Sequence, residues 1–458
     1  MNQTTGLRRT LQRRHMQMIA LGGVIGAGLF VGSGVVISSA GPAAVISFAI
    51  TGMLVVLVMR MLAEMAVACP VQGGFYEYSR IALGELAAYL TGWMYWYFWI
   101  IVVALEAVAG AKLLGQWWPA VSPWEYTLGL TAVFTCVNLL SVRSYGEAEF
   151  WFASIKVAAI VVFLGAGALF VSGLWPGATA GMPGLVAHGG FMPNGIVPVL
   201  TGAVAATGFY FGSEIIAVAA AESAEPERSV ADAMQSVIWR VLIFYVGSIL
   251  LVVAIVPWND TLSMQRPYVS VLQALHVPAA AALMSAVILT AVLSALNSGL
   301  FASSRMLMAL AAKGDAPKIF ARLDARGVPV AAILAGTVFA YSAVVMSYVS
   351  PDKVFAFLVN SYGTVAIFVY VLIAVSELKL RRRLETQMPE RLRVRMWGYP
   401  HLTRLAILVM LAIVAAMGFI PEQRAPLLFG VVSVAVMLAG FGIRKIVRPA
   451  SDRSALNQ

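Results

Sequence analysis

The stretch Ile19-Ala-Leu-Gly-Gly-Val-Ile-Gly-Ala-Gly-Leu-Phe-Val-Gly-Ser-Gly34 lies in the first long apolar run of the chain and contains six glycines. Glycine leaves helical geometry more readily than other residues and lets other groups approach the backbone. In lipid, an unwound segment is tolerated only where protein or a water-filled cavity satisfies its polar groups. A helix broken at this point is typical of a substrate site in secondary transporters. Close helix packing through Gly22 and Gly26 is the alternative interpretation.

The composition predicts a helical protein that crosses the membrane many times. Of the 458 residues, 60% are apolar and only 11% are charged, and the mean hydropathy is +0.86. Soluble domains carry about 25% charged residues. A span requires about 20 apolar residues, and by that measure the chain holds roughly twelve spans.

The net charge of +10 follows a topological pattern that argues against nucleic-acid binding. Lys and Arg gather at the N-terminus, between Lys313 and Arg326, between Lys379 and Arg395, and at the C-terminus. The loop from Trp175 to Gly195 has none. The positive-inside rule therefore predicts that both termini are cytoplasmic and that the number of spans is even.

A second break is predicted in span six, where Thr207-Gly-Phe-Tyr-Phe-Gly-Ser-Glu214 interrupts an apolar run. It lies five spans after the first break, so the two broken helices cross the membrane in opposite senses. This arrangement is expected for an inverted repeat of spans one to five and six to ten, and it favours transport over generic packing. The predicted organisation is a cytoplasmic N-terminus (1–16), a first repeat (17–174), a second repeat (196–377), spans eleven and twelve (402–443) and a cytoplasmic tail (444–458). Within the first repeat, residues 141–149 are predicted to form a cytoplasmic turn.

Ionisable residues inside spans are costly and often functional. Glu106 lies deep in span three, and Glu214 follows the second break; we interpret both as functional, with a pair between Glu106 and a Lys or Arg of another span as the alternative. Lys156 in span five either snorkels to the interface or points inward, and the residues alone leave both open. Arg60 and Glu64, one helical turn apart, are expected to form a structural pair.

No soluble-type catalytic set is evident in the sequence, so we do not expect an enzyme. There is no Cys/His metal spacing, no phosphate-binding loop with Lys and no Ser-His-Asp arrangement. We therefore expect neither a metal nor a cofactor, and we expect a proton gradient to drive the protein. A channel is the runner-up class, but paired broken helices favour alternating access.

The residues resemble amino-acid permeases of the amino acid–polyamine–organocation superfamily, within it the bacterial amino-acid transporter family, from end to end. The motifs that carry this resemblance are Arg14–Ala20 before Gly26-Ala-Gly28, Ala40-Gly-Pro42, Met61–Ala66, Ser144–Trp151 with Lys156, Ala220–Ser223, Leu296-Asn-Ser298 and Ser304–Leu307. Leu57–Ala68, Leu105-Glu106-Ala107, Gly189–Gly195 and Val256–Asn259 are most similar to the γ-aminobutyrate permeases of that family.

The resemblance implies twelve transmembrane helices, a LeuT-like five-plus-five inverted repeat with helices one and six broken, and proton-coupled amino-acid uptake. The substrate carboxylate would meet free amides around Ile25, Gly26, Ala27 and Gly28. Its amino group would meet carbonyls at the breaks, chiefly around Phe209, Tyr210 and Phe211. Lys156 matches a lysine that, in relatives, occupies the place where sodium-driven transporters bind an ion between spans one and five. Glu214 matches a family glutamate that is implicated in proton coupling or in gating.

The chain departs from the family pattern at Gly208. Relatives usually place an aromatic lid six residues before the glutamate, whereas here Phe209 and Tyr210 follow a glycine. Either a neighbouring aromatic takes over as the lid, or the pocket is larger and suits a bulkier substrate.

The sequence therefore predicts a multi-pass symporter of the bacterial inner membrane that imports γ-aminobutyrate or a related amino acid together with protons. The alternative within this class is a permease for a broader range of amino acids, or for basic or aromatic ones. A nutrient sensor or a channel is the alternative of a different class. A small amino-acid substrate, protons and the lipid bilayer are the expected partners, with no nucleic acid.

Overall fold

The computed structural model is all-helical and describes residues 11–447, apart from Val24, Ala27, Gln72, Thr179, Ser213, 220–241, 351–352, 356 and 359–363. In chain order the helices are α1 (Arg13–Gly22), α2 (Ser33–Ala40), α3 (Ala44–Ala68), α4 (Phe75–Leu83), α5 (Glu85–Trp117), α6 (Pro123–Leu140), α7 (Val142–Val171), α8 (Ile196–Ala206), α9 (Ile215–Ala219), α10 (Ser248–Ile255), α11 (Thr261–Gln265), α12 (Pro267–Ala274), α13 (Ala280–Ala312), α14 (Val330–Val349), α15 (Val365–Gln387), α16 (His401–Met417) and α17 (Pro421–Val447). Short π and 3₁₀ turns connect several of them.

Seven helical stretches of the described chain are long and apolar enough to cross a membrane. They are Gly28–Ala68, Glu85–Trp117, Val142–Val171, Ile196–Ala219, Ala280–Ala312, Val330–Val349 and Pro421–Ile446. Two shorter apolar helices cover Ile243–Ile255 and His401–Met417. The prediction of a polytopic helical protein is thereby confirmed.

The longest of these stretches, Gly28–Ala68, has 41 residues. As one straight helix it would measure about 60 Å, about twice the roughly 30 Å thickness of the hydrocarbon core. The chain does not run straight, because Gly41 adopts a left-handed φ of 65° in the 3₁₀ turn between α2 and α3. The turn interrupts the helix between α2 and α3, so the stretch is not one continuous rod.

Both predicted breaks interrupt helical structure. The regular α-helix α1 ends at Gly22, and helical geometry resumes as a π turn over Gly28–Gly32 that leads into α2. In the second break, α8 gives way to a 3₁₀ turn over Thr207–Tyr210, after which α9 begins at Ile215. Gly212 lies between them with a φ of 122°, a conformation that residues with a Cβ rarely adopt.

One expectation about the chain between α6 and α7 is wrong. Residues 141–149 were expected to form a cytoplasmic turn, but α7 begins at Val142, and Glu149 is fully buried within it. The helix begins here because the Ser141 side chain accepts a hydrogen bond from the Ser144 amide, at 3.0 Å. Serine at this position is a common N-cap and stabilises the first turn.

The expected pairing of Arg60 with Glu64 is also wrong. Glu64 is buried and pairs with Arg381 of α15, whose Nη1 lies 2.6 Å from Glu64 Oε2. The same carboxylate accepts a hydrogen bond from the Met396 amide. Arg60 turns outward instead, donates to the Arg395 carbonyl at 2.9 Å and lies over the Trp397 ring. Arg381, which is distant in sequence, therefore supplies the ionic partner of the buried Glu64. The hydrogen bond from the Met396 amide holds the chain after α15 against α3.

Replacement of Arg381 by Met is expected to destabilise the protein by about 3–5 kcal/mol, because it leaves the buried Glu64 carboxylate without its partner. Thermal unfolding in detergent measures this loss. The double variant Glu64→Gln/Arg381→Met should regain most of it. Glu385→Gln is the matched control: Glu385 also pairs with Arg381 but is 44% exposed, so its loss should stay below about 1 kcal/mol. Wild-type stability in the single Arg381 variant would contradict the assignment.

A second buried carboxylate, Asp315, joins three parts of the fold at the turn after α13. It accepts a hydrogen bond from the Tyr76 hydroxyl of α4 at 2.6 Å, and Arg80 of α4 pairs with the same oxygen. Arg444 of α17 lies 2.6 Å from the other oxygen. The short helix α4 is thereby fixed between the end of α13 and the last turns of α17.

Candidate functional site

The two helix breaks meet backbone to backbone. A Cβ added to Gly23 would come within 2.5 Å of the Gly212 carbonyl oxygen, and a Cβ on Gly212 would collide with the Gly23 carbonyl. Only glycine at both positions permits this approach. The site is therefore built around the contact between the end of α1 and the chain that precedes α9.

Phe209 fills the space left by two further glycines of the first break. A Cβ on Gly28 or on Gly32 would lie 2.6 Å from the Phe209 ring. The ring also stacks on Phe48, with 6.3 Å between centroids. The Phe209 carbonyl accepts a hydrogen bond from the Tyr245 hydroxyl at 2.6 Å. The two glycines of the first break thus leave the space that the aromatic ring of the second break occupies.

The two positions that face open space are Gly26 and Gly208. A Cβ on either glycine would meet no atom of a described residue within 4 Å. Both glycines are half-buried, whereas neighbouring Ile25 is buried. Of the predicted carboxylate-binding residues, Ala27 lies outside the described residues. One open position on each break is the arrangement expected of a cavity that both breaks line.

Lys156 points inward, which settles the question that the sequence left open. Its side chain is fully buried, and it lies about 21 Å along α7 from Val142, where the helix begins. Nζ donates to the Gly22 carbonyl at 2.5 Å and to the Ser294 hydroxyl of α13 at 2.8 Å. The last carbonyl of α1 is thereby bound to a cationic side chain.

Glu214 is held at the second break by hydrogen bonds to its Oε2. The Gly212 amide and the Tyr370 hydroxyl of α15 both donate to this oxygen at 3.0 Å. Phe211 stacks on the Tyr370 ring, with 4.2 Å between centroids. Within the described part of the chain, Glu214 Oε1 is buried without a hydrogen-bond partner. The second break is therefore joined to α15.

Tyr210 is fully buried and does not face a cavity. Its hydroxyl donates to the Phe48 carbonyl of α3 at 2.7 Å, and its ring stacks on Tyr245 with 4.1 Å between centroids. These contacts hold the 3₁₀ turn against α3. The ring of Tyr210 therefore has a structural role, while the site extends to Gly208 on the same turn.

Glu106 is buried in α5 and interacts electrostatically with Lys156. Its Oε2 makes no hydrogen bond to any described residue. A buried carboxylate oxygen without a partner is costly unless a ligand or a proton satisfies it. Glu106 Oε2 thus remains available to a polar group that the described part of the chain does not provide.

Sequence reasoning missed three partners of the site, namely Ser294, Tyr245 and Tyr370. Each contributes a hydroxyl from a helix far away in the chain, and single Ser and Tyr residues in apolar runs carry no local signal. Within the described ranges, no group of three or more His, Cys, Asp or Glu side chains is arranged to hold a metal ion.

Comparison with known proteins gives a family match over nearly the whole chain. Residues 15–445 match the family described as amino acid permease. The chain is 49% identical to the γ-aminobutyric acid permease of Bacillus subtilis, over 100% of this chain and 98% of that protein. It is 45% identical to the γ-aminobutyric acid permease of Escherichia coli, covering 90% and 89%, and 40% identical to the aromatic amino acid transport protein AroP of Corynebacterium glutamicum, covering 90% of each.

Among solved structures, the manganese transporter of Eremococcus coleocola has a similar fold. The TM-score is 0.58 over 96% of this chain and 97% of that chain, at 13% sequence identity. At this identity the likeness concerns the fold alone. The family match over residues 15–445 confirms the resemblance that the sequence motifs suggested: the chain belongs to the amino acid permease family and is a multi-pass membrane transporter, not an enzyme.

Proposed function

We propose that this permease imports γ-aminobutyrate or a related amino acid together with protons by alternating access. Full-length relatives that are named γ-aminobutyric acid permeases support the substrate class. In the proposed architecture, twelve membrane helices form two inverted repeats, with the described breaks in the first and sixth. Both termini lie in the cytoplasm of a bacterium, and the protein resides in the inner membrane, as the distribution of Lys and Arg indicates.

The observation that carries the proposal is the hydrogen bond from Lys156 Nζ to the carbonyl of Gly22. This bond joins a buried cation to the point where α1 ends and the first break begins. A neutral amine holds a carbonyl less strongly than an ammonium group does, because hydrogen bonds from ionised donors are roughly twice as strong. Loss of a proton from Lys156 would therefore loosen α1 at its break and link proton movement to the substrate site.

The substrate lies, in this proposal, in the space between Gly26 and Gly208. Its carboxylate meets backbone amides of the first break, around Ile25 to Gly28, where a helix start offers unpaired N–H groups. Its amino group meets the carbonyls around Phe209 to Phe211, and Glu106 supplies a negative charge for the distal amine. Glu214, bonded to Tyr370, acts as the link that opens or closes the path beside the second break.

Uptake of radiolabelled γ-aminobutyrate into proteoliposomes under an inward proton gradient tests the proposal. We expect saturable uptake that a protonophore abolishes and that unlabelled γ-aminobutyrate inhibits better than other amino acids. Uptake that is unaffected by the protonophore would refute proton coupling. Stronger inhibition by a larger amino acid would refute the substrate while leaving the transport mechanism in place.

Glu106→Gln is expected to weaken the binding of substrates with a distal amine about tenfold or more, because a hydrogen bond between charged groups contributes about 1.5–3 kcal/mol. Competition binding with γ-aminobutyrate and with a neutral α-amino acid of similar length measures the difference. Equal losses for both ligands would assign Glu106 a structural role instead.

A permease for larger or aromatic amino acids is the second candidate. The observation that favours it is the open space beside Gly208, together with the 40% identity to an aromatic amino acid transport protein. The variant Gly208→Phe separates the candidates, because the new ring would occupy the open space. It should abolish uptake of an aromatic substrate and leave uptake of a short linear substrate within about threefold. Undiminished aromatic uptake in this variant would place the substrate elsewhere.

A further inference from the structure

A further buried carboxylate, Glu149, is joined to Lys156 through one hydroxyl group. Ser294 Oγ of α13 accepts from Lys156 Nζ at 2.8 Å and donates to Glu149 Oε1 at 2.5 Å. All three side chains are fully buried. Together they form a continuous hydrogen-bonded chain from an ammonium group, through a hydroxyl, to a carboxylate.

Glu149 lies on the same face of α7 as Lys156, because seven residues correspond to about two helical turns. It is displaced by about 10 Å toward the beginning of α7, the end that carries the exposed Arg143. The chain of hydrogen bonds therefore runs from the depth of the helix-one break toward one surface of the protein.

The packing at this point leaves no room for a larger residue in α1. A Cβ on Gly22 would lie 2.7 Å from both Glu149 Oε1 and the Ala153 side chain. Gly22 thus supplies the carbonyl that binds Lys156 and also the space that Glu149 occupies. The carboxylate, the amine and the end of α1 form one compact cluster.

Beyond Glu149, polar groups continue toward the beginning of α7. Asn297 and Ser298 of α13 lie near the carboxylate, and the Tyr145 hydroxyl of α7 lies 3.4 Å from Ser298 Oγ. Glu149 Oε2 is buried and makes no hydrogen bond to any residue that the structure describes. An unsatisfied carboxylate oxygen in an apolar bundle is costly unless it takes up a proton or another donor.

We propose that Glu149 is the proton acceptor of Lys156, with Ser294 as the relay between them. The inference rests on the proposed proton coupling and adds the residue that receives the proton. One N–H bond of the Lys156 ammonium breaks as Ser294 Oγ takes that proton, and the original Ser294 hydroxyl proton passes to Glu149 Oε1. The products are a neutral amine and a neutral carboxylic acid, which then releases its proton toward the beginning of α7.

The charges around Glu149 are consistent with this role. Lys156 is the charged side chain that acts on it from its own helix, and Glu106 of α5 acts on Lys156 in turn. The neighbouring side chains of α13 (Ser294, Asn297 and Ser298) are neutral, and α1 contributes the backbone at Gly22. Proton transfer between Lys156 and Glu149 would replace two buried charges by two neutral groups, which lowers the desolvation cost.

The test compares proton-driven uptake with substrate exchange in proteoliposomes that contain a trapped pH-sensitive dye. Exchange of labelled for unlabelled substrate requires no net proton transfer, whereas uptake with acidification does. Glu149→Gln keeps the acceptor for Ser294 but cannot take up the proton. We expect substrate-dependent acidification to fall roughly 100-fold, the lower range for loss of a positioned proton-transfer group, while exchange stays within about twofold of the unmodified protein.

Two further comparisons keep the test decisive. Ser294→Ala should lower acidification as Glu149→Gln does, whereas Ser294→Thr, which retains a hydroxyl, should preserve it. These two variants carry the test if Glu149→Gln fails to fold. Glu147→Gln is the matched control, because Glu147 is a partly exposed carboxylate two residues away that pairs with Arg14; it should behave like the unmodified protein.

Each of the remaining outcomes counts against a particular claim. Full acidification by Glu149→Gln, or by Ser294→Ala, would overturn the relay. A parallel loss of exchange and acidification in folded Glu149→Gln would make the residue structural. An unmodified protein that transports substrate without any acidification would overturn proton coupling itself, which is a separate result from the failure of Glu149.

Discussion

Lys156→Met is expected to lower proton-driven uptake by a factor between about 10² and 10⁴, the range for loss of a positioned proton-transfer group. Methionine is similar in length and suits a buried site, but it cannot carry a proton or donate to Gly22 and Ser294. The end of α1 would then lose the hydrogen bond whose strength depends on the protonation of Lys156. Uptake of substrate into proteoliposomes, measured with and without an imposed proton gradient, gives the result directly.

Two controls define what this experiment means. Lys156→Arg retains a cation that does not deprotonate in proteins. Stimulation of uptake by the proton gradient should therefore be lost, and substrate exchange should persist only if a fixed charge at this position is sufficient. Lys318→Met removes a lysine from an exposed turn and should change nothing. Unchanged dependence on pH in Lys156→Met would contradict the coupling role.

Gly212→Ala is expected to weaken substrate binding, because the contact between the two breaks depends on two glycines. The Cβ would collide with the Gly23 carbonyl, and a φ of 122° strains any residue other than glycine. Such strain amounts to about 1–3 kcal/mol, so substrate affinity should fall about tenfold or more, since 1.4 kcal/mol corresponds to a factor of ten. Substrate-induced thermal stabilisation of the purified protein measures affinity without the need for transport.

Gly23→Ala should act in the same direction, since its Cβ meets the opposite side of the same contact. Gly129→Ala in α6 is the matched control, because a Cβ there meets no atom within 4 Å and the helical backbone accepts alanine. Normal substrate binding by Gly212→Ala would show that the two breaks need not touch for the site to form.

The sequence allowed the fold class and the position of both breaks to be predicted, since these depend on local patterns. Glycine clusters within long apolar runs mark the ends of α1 and α8, and the distribution of Lys and Arg gives the predicted topology. The family resemblance likewise rests on short motifs that are readable in one chain. Lys156 was recognised as important, but its depth required the observed beginning of α7 at Val142.

The partners of the buried charges could not be predicted in the same way. Glu64 has a basic residue one turn away, and that local signal was misleading, because Arg381 lies more than 300 residues later and reaches the acid from another helix. Glu149 was predicted to end a cytoplasmic turn, whereas it lies fully buried inside α7. Which helices lie side by side is a property of the folded bundle, and no spacing within one helix encodes it.

The contact between Gly23 and Gly212 also bears on how such a permease can acquire a new substrate range. A substitution at either glycine alone would force the breaks apart, so both positions must remain glycine for the contact to persist. A Cβ at Gly26 or Gly208, by contrast, would meet no described residue within 4 Å. Natural variation and laboratory libraries should therefore find new specificities at positions 26 and 208, while every functional descendant retains the glycine pair.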